Sequence, residues 1–424
     1  MKRIAKLISV LGIAGVIIIA GIIYINVSPP EDEGSNGDDD EDNGEDGITY
    51  LINIYVNSTI YSSLSSDFSD YISNIQNQGY DVNVFVWSND AAMDATALKL
   101  NLTYYYNNSN LKGAIMVGKL PYAMARGTDT YGQMYNFPCD LYLMDLDGQW
   151  TDHSGDNVWD LDYNLPPSLF EHSNGTGDDT PEIWVARIGN FSIQSGFNYA
   201  NELNNYFQRN SQFRNGDFGP RNKALLYIDD DWTSVTSEWV SNFTAYTGDK
   251  LYVYNDVPPS NTNAQGYMSN LTSTSKPNFV YYELVHVLVH SLSTEHQFGP
   301  GSNPKSQGTI TWKDVKTNCT EPLFYNLYAC SACNYSLPNN LGTQYLLSNS
   351  STITVIGGAR PGCMSLYQPF YDSLKNGDTF GDAFVEWFHN PDLKVQFSPP
   401  APSHWHEVYG MTLLGDPLAT IYMT

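Results

Sequence analysis

Positive charge is scarce in this sequence: 20 Lys and Arg stand against 46 Asp and Glu, for a formal net charge of −26 at pH 7. That balance disfavours a nucleic-acid partner, whose phosphates call for a basic surface. Cysteine is sparse as well, with five residues at Cys139, Cys319, Cys330, Cys333 and Cys363. Five are too few for a disulfide-built scaffold of this length, and outside a cell an odd number leaves at least one thiol unpaired within the chain. There is no His-Glu-x-x-His, and Cys330-Ser-Ala-Cys333 has no second C-x-x-C to complete a zinc site. Short solenoid-type repeats are also missing.

What is present is apolar and aromatic. Hydrophobic residues make up 42% and aromatics 14% of 424 residues, with 31 Tyr, enough to build cores for two or three domains. The N-terminus reads differently. Lys2, Arg3 and Lys6 precede an uncharged run from Leu7 to Ile25, which as a helix just spans a hydrocarbon core of about 30 Å. An uncleaved single-pass anchor at the cell membrane is expected here over a cleaved signal peptide, whose apolar region is shorter and ends in a small-x-small site. Either way the bulk of the chain is expected outside the cell. Residues 29–47 follow as a linker, in which Glu31, Asp32, Glu33, Asp38, Asp39, Asp40, Glu41, Asp42, Glu45 and Asp46 repel one another among Gly, Ser and Asn. Without these ten acids and the three N-terminal bases, the remainder still holds 36 acids against 17 bases. Glycosylation sequons begin at Asn57, Asn101, Asn107, Asn174, Asn190, Asn242, Asn270, Asn318, Asn334 and Asn349, in keeping with an exported glycoprotein.

From Ile48 onward, β-branched and aromatic runs alternate with amphipathic ones. Ile48–Val56, Tyr80–Trp87, Leu111–Val117 and Glu182–Ile188 read as strands; 65–78, 95–106 and 197–207 read as helices. After the turn-rich Arg214–Pro220 the alternation restarts. Strands are expected at Lys223–Ile228, Leu251–Tyr254, Phe279–His290, Pro322–Ala329, Thr352–Ile356 and Leu418–Tyr422, with helices at 235–246, 341–348 and 380–388. Such a pattern predicts an α/β fold of two tandem units, mostly parallel sheets with helices on both faces, after an N-terminal transmembrane helix. The expected divisions are 1–28, 29–47, 48–218 and 219–424.

Two strand ends carry residues suited to chemistry. His286 and His290 lie four apart in a Val- and Tyr-rich run. On a strand that separation is about 13 Å, so they cannot share a metal ion. Read as a strand, the run delivers His290 to its C-terminal end, and Leu323–Ala329 delivers Cys330 in the same way. In open α/β sheets the ligand crevice lies beyond such ends. A thiol and an imidazole there suit nucleophilic catalysis, with loop N–H groups to hold an oxyanion. The plainer alternatives are a buried Cys that packs as a small hydrophobe, and a His286 that belongs to the core or the cleft wall. His286, Glu295 and His296 are candidate cleft or specificity residues. Cys333, three residues from Cys330, is a candidate redox partner, since a turn could bring the two within disulfide range. Asp140, Asp145 and Asp147 are candidate ligands of a structural calcium ion, although the sequence before Gly148 also fits an Asx-type turn.

Several blocks in order resemble the gingipain-like cysteine peptidases, relatives of caspases and clostripain. They are Leu111-Lys-Gly-Ala-Ile-Met-Val-Gly-Lys-Leu-Pro121, Asp140–Trp150, Pro181–Ile188, the loop at His290, Tyr328-Ala-Cys330, Val355–Arg360 and Tyr409-Gly-Met-Thr-Leu-Leu-Gly-Asp-Pro417. The resemblance covers residues 48–424. It implies a non-catalytic caspase-like subdomain at 48–218 and a catalytic one at 219–424. It further implies that Cys330 attacks the scissile carbonyl, that His290 protonates the leaving amine, and that backbone N–H groups of Ser291 and Cys330 hold the oxyanion. A protein or peptide substrate and no required cofactor go with that assignment. Val289 and Ser291 stand where the family commonly has Gly, and Lys119 where it usually has Asp. The alternative is therefore a catalytically inactive relative that binds peptides or glycans at the cell surface.

Overall fold

The computed structural model describes residues 16–19, 22–26, 48–87, 95–128, 134–148, 150, 152, 155–160, 180–189, 199–255, 262–273, 279–348, 350–396 and 408–421. Its strands, in chain order, are β1 (Val16–Ile19), β2 (Ile22–Asn26), β3 (Leu51–Asn57), β4 (Asp81–Trp87), β5 (Leu111–Val117), β6 (Met124–Thr128), β7 (Met134–Pro138), β8 (Val158–Asp160) and β9 (Trp184–Ile188). The second half adds β10 (Ala224–Ile228), β11 (Leu251–Asn255), β12 (Leu284–Leu288), β13 (His290–Leu292), β14 (Glu295–Gln297), β15 (Thr309–Thr311), β16 (Phe324–Tyr328), β17 (Thr354–Gly358) and β18 (Met411–Gly415). Twelve of them form one sheet in the order β1-β2-β4-β3-β5-β9-β18-β17-β16-β12-β10-β11. The remaining six make two small three-stranded sheets, β7-β6-β8 and β13-β14-β15.

The expected α/β pattern is thus present, but as one continuous sheet. Strands β4, β3, β5 and β9 are mutually parallel, and so are β17, β16, β12, β10 and β11. Between these blocks lies β18, parallel to β9 and antiparallel to β17, so the two blocks run in opposite directions. Residues are buried on both faces along β3, as expected of parallel strands covered by helices. Ile52, Ile54 and Val56 join one core and Leu51 and Tyr55 the other, following the two-residue period of a strand. Helix Ser66–Asn77 buries Phe68, Tyr71, Ile72 and Ile75, the i, i+3, i+4, i+7 stripe of an amphipathic helix. Two of those rings pack on Phe207 of helix Tyr199–Arg214, with centroids 5.0 and 5.3 Å apart.

Three expectations need correction. The last strand is β18, not Leu418–Tyr422: Gly415, with φ +99°, turns the chain, and Pro417 has no N–H for a ladder. Phe279–His290 is not one strand; β12 ends at Leu288, Val289 donates its N–H to Tyr328 O, and His290 starts β13 in a separate sheet. At the N-terminus, within the run expected to be a helix, β1 and β2 pair antiparallel with each other, and β2 pairs with β4 from Ile22↔Trp87 to Asn26↔Asn83. β-Branched runs such as Val16–Ile19 suit either conformation, and periodicity alone does not separate them. No helix among the described residues is long and apolar enough to cross a membrane. Residues 27–47, the acidic linker among them, lie outside the described set.

Some sequons are closed off. Asn57 and Asn334 are buried, and Asn101 accepts a hydrogen bond from the Tyr55 hydroxyl at 2.5 Å. A glycan needs an exposed carboxamide, such as those of Asn107 and Asn318. Asn174, Asn190 and Asn349 lie outside the described residues.

The seam is held by one buried carboxylate. Asp416 accepts from Arg214 at 2.6 Å, Asn210 at 2.8 Å, the Tyr71 hydroxyl at 3.1 Å and the Leu418 N–H at 3.0 Å. Its own N–H donates to Ile353 O at 3.1 Å, and its carbonyl accepts from Thr354 Oγ1 at 2.8 Å. Burial works against the Arg214 charge, and Asp416 more than offsets it, so the guanidinium is held above its ordinary pKa. Removing one partner of such a pair strands the other charge. Asp416→Ala should therefore destabilise the protein by about 3 to 5 kcal/mol in urea titration. A loss under about 1 kcal/mol, the size of an exposed pair, would show that the seam does not rest on this carboxylate.

Candidate active site

Three neighbouring parallel strands bring the candidate residues together. Ile228 of β10 pairs with Leu288 of β12, and Leu288 pairs with Tyr328 of β16. His290 and Cys330 each follow their paired residue by two positions, on strands about 4.8 Å apart. Asp231 lies three positions beyond Ile228, on the 3₁₀ turn Asp230–Val235. His290, as the first residue of β13, and Cys330, in the turn after β16, thus each lie just past the C-terminal end of one of two adjacent parallel strands.

Asp231 is the residue that the sequence reading missed. Its Oδ2 lies 2.7 Å from His290 Nε2 and also accepts the Gly301 N–H at 2.7 Å. A carboxylate only accepts, so Nε2 carries the proton in this bond and Nδ1 is left to exchange one. Trp232 packs on the imidazole with ring centroids 4.8 Å apart. His290 and Asp231 remain open to solvent, at 29% and 40% side-chain exposure. The available signal was three aspartates directly after the apolar strand Ala224–Ile228, a third strand end at the same edge.

All three aspartates hold the loop 299–307 that borders the site. Asp229 is buried and accepts from Gly299 N at 2.8 Å and Thr262 Oγ1 at 2.9 Å. Asp230 accepts from Gln307 Nε2 at 2.9 Å, and Asp231 takes the Gly301 N–H.

Cys330 is partly exposed and sits in a turn, followed by Ser331 at φ +58°, an unusual conformation for a residue with a Cβ. Ser331 N–H donates to Arg360 O at 2.8 Å, which ties this turn to the end of β17. Cys333 is different. It is fully buried, burial pushes its thiol pKa up, and its Sγ packs where side chains at Gly342 or Gly357 would stand, 2.5 and 2.7 Å from their Cβ positions. No disulfide links the five cysteines, so the expected Cys330–Cys333 pairing is not formed. Cys333 is a packed core residue because the turn carries it under the sheet edge.

The other candidates separate. His286 is fully buried, with Nδ1 3.0 Å from the Tyr371 hydroxyl, and burial pushes its pKa down to about 3. His296 is likewise buried and pushed down to about 3, between the Tyr267 and Tyr345 rings. Neither opens on the cleft. Burial disfavours the Glu295 carboxylate, but Lys305 at 2.6 Å and Gln297 at 2.7 Å outweigh it and hold its pKa below the ordinary value. Ser291 is buried, its hydroxyl within reach of the Leu292 and Glu295 carbonyls at 2.7 and 3.0 Å.

The chain belongs to peptidase family C25, matching its pattern over residues 47–422. This is the gingipain family of cysteine peptidases. Similar solved structures include a protease with a TM-score of 0.57 at 13% identity, over 89% of this chain and 79% of that one. The complex of Porphyromonas gingivalis RgpB pro- and mature domains gives 0.57 at 14%, over 88% and 79%. The Arg-specific cysteine proteinase gingipain R (RGPB) gives 0.55 at 14%, over 89% and 79%. At such identities these likenesses establish the fold. No curated protein matches the chain.

The candidate calcium ligands are also rearranged. Asp145, Asp147 and Glu182 bring carboxylate oxygens within 4.8 Å of one another, a set that could hold a cation. Asp140 is not among them; it is buried against Arg187, 2.6 Å away. Asp145 also shows the Asx-type turn, accepting from Gly148 N at 2.7 Å and from Trp150 Nε1 at 2.9 Å. Glu182 accepts from Leu146 N. Burial, followed by the charges of Asp145 and Asp147, pushes its pKa from 4.5 up to about 7. The folded carboxyl thus binds its proton more tightly than the unfolded one, and folding loses that advantage as pH rises from about 4.5 through 7. Glu182→Gln cannot ionise and should flatten the decline in melting temperature across this window. A slope equal to that of the parent would place the titration on another group.

Proposed function

We propose that the chain is an endopeptidase in which Cys330 and His290 act as nucleophile and acid–base, with Asp231 orienting the imidazole. The observation that carries this is the 2.7 Å His290–Asp231 contact at the strand end adjoining that of Cys330, in a member of a cysteine peptidase family. The Cys330 thiolate adds to the scissile carbonyl carbon, and the negative charge that develops on its oxygen is met by N–H groups of Ser291 and Cys330. His290 gives its proton to the leaving amine as the C–N bond breaks, which leaves a thioester on Cys330. A water molecule, deprotonated by His290, then attacks the thioester and releases the acid product and the thiolate. Asp231 favours the imidazolium that forms in between. The reaction draws on no cofactor, and its substrate is a protein or peptide.

A panel of peptidyl chloromethyl ketones tests this. Without reductant, Cys330 should be labelled and Cys333 should not. Labelling should vanish in His290→Ala, and Asp231→Asn should lower kcat/KM by about 10²-fold or more, as expected when a base loses its orienting partner. An accessible Cys330 inert to every probe would favour the alternative, a binding protein that has lost catalysis.

We also propose that the N-terminal run directs the chain out of the cytoplasm and retains it at the membrane. Support comes from the charge order, with Lys2, Arg3 and Lys6 ahead of nineteen uncharged residues. Edge pairing on β4 and membrane insertion are alternative fates of the same apolar segment. Protease treatment of intact cells should remove the bulk of the chain; full protection until lysis would place it inside.

A further inference from the structure

Asp231 stands on a short 3₁₀ turn with its side chain 40% exposed, and a carboxylate so open to water has several rotamers to choose from. Two donors from distant parts of the chain meet one of its oxygens. His290 Nε2 and the Gly301 N–H both lie 2.7 Å from Oδ2. The first bond orients the imidazole; the second, a charge-assisted bond from the backbone, holds the carboxylate in place.

Where the Gly301 N–H stands is decided by the loop that carries it. Phe298 is fully buried against the Tyr227 and Tyr267 rings, and it closes the loop at its base, donating to Gly308 O at 3.0 Å and accepting from Gln307 N at 2.9 Å. Gly299 and Gly308 turn the chain there at φ +128° and +99°, where a Cβ would be strained. Asp229 pins the loop through the Gly299 N–H, Asp230 through Gln307 Nε2, and Lys305 ties it to Glu295. Gly301 lies between these pins. A Cβ there would come within 2.9 Å of Asp231 Oδ2 and 3.4 Å of His290 Nε2, the first too close for the carboxylate to keep its place. Gly301 itself is not at a positive φ, so the missing side chain makes room for the carboxylate and is not required by the backbone.

We propose that the loop 299–307 is a positioning element of the reaction, with Gly301 as its positioning residue: the Gly301 N–H sets the Asp231 carboxylate where it can orient His290. This rests on the peptidase reading of Cys330 and His290. Gly301 is exposed, and a methyl group there displaces only the end of a side chain, so Gly301→Ala should keep the parent's melting temperature. It should lower kcat by about tenfold at an unchanged KM, through a misplaced imidazole. In an Asp231→Asn background the same change should cost nothing further, because both act through one bond. Gln307→Ala, which frees the loop from Asp230, should lower kcat in the same way by about threefold, the size of one modest hydrogen bond. Ring ¹⁵N NMR of His290 at alkaline pH reads the geometry without any substrate. The parent should show the Nε2–H tautomer, and Gly301→Ala a mixture of both, as in Asp231→Asn. Losses that multiply in the double variant, a rise in KM alone, or a tautomer unchanged by Gly301→Ala would overturn the proposal. A parent that neither cleaves peptides nor is labelled at Cys330 would instead overturn the peptidase reading, and the positioning role with it.

Discussion

The architecture depends on one strand inserted against the order of the chain. β18 comes last in sequence yet lies in the middle of the sheet, and without it β9 and β17 would present two open edges. Its position is secured at its end, where the Asp416 carboxylate, with no solvent contact, gathers Tyr71, Asn210, Arg214 and Leu418, while the Asp416 backbone carbonyl accepts from Thr354 Oγ1 of β17. A buried charge tolerates little displacement, because each lost partner leaves it uncompensated at low dielectric. The two strand blocks are therefore locked in one relative register, and the helices that pack on either face inherit it.

That lock also reaches the candidate site. Asp140 and Arg187 form a buried pair within the first block, with Arg187 Nε 2.8 and 3.0 Å from the two carboxylate oxygens. Tyr335, five residues after Cys330, donates its hydroxyl to Asp140 at 2.8 Å, and the Arg187 guanidinium lies 4.4 Å from its ring centroid. Burial opposes the Arg187 charge, and Asp140 and Tyr335 hold it in place. The block without His290 and Cys330 thus supports the segment that follows Cys330. It acts as a scaffold for the site, an argument from contact that the order of domains along the chain does not contain.

At the site itself, parallel register does the positioning. Adjacent parallel strands end at one level, and residues a fixed number of positions past paired residues emerge side by side. The three consecutive aspartates after β10 then serve one loop at three points, so the surface beside His290 is built by short-range hydrogen bonds between segments distant in sequence. The half-exposed rings of Trp232, Trp239 and Tyr328 complete that surface.

Much of this was legible in the sequence, because much of it is local. β-Branched runs specify strands through their fit to a pleated surface, amphipathic stripes specify helices, and Gly or Pro punctuates both. Those signals were enough to assign α/β alternation, to place helix Phe380–Phe388 and to put His290 and Cys330 at strand ends. The pairings were not legible, since they join residues far apart in the chain: 59 positions separate Asp231 from His290, and 345 separate Tyr71 from Asp416. The same holds for Glu182 replacing Asp140 beside Asp145, and for Cys333 packing against Gly342 and Gly357 away from Cys330. Local periodicity determines which face a side chain takes; only the packing of the whole sheet decides what it meets there.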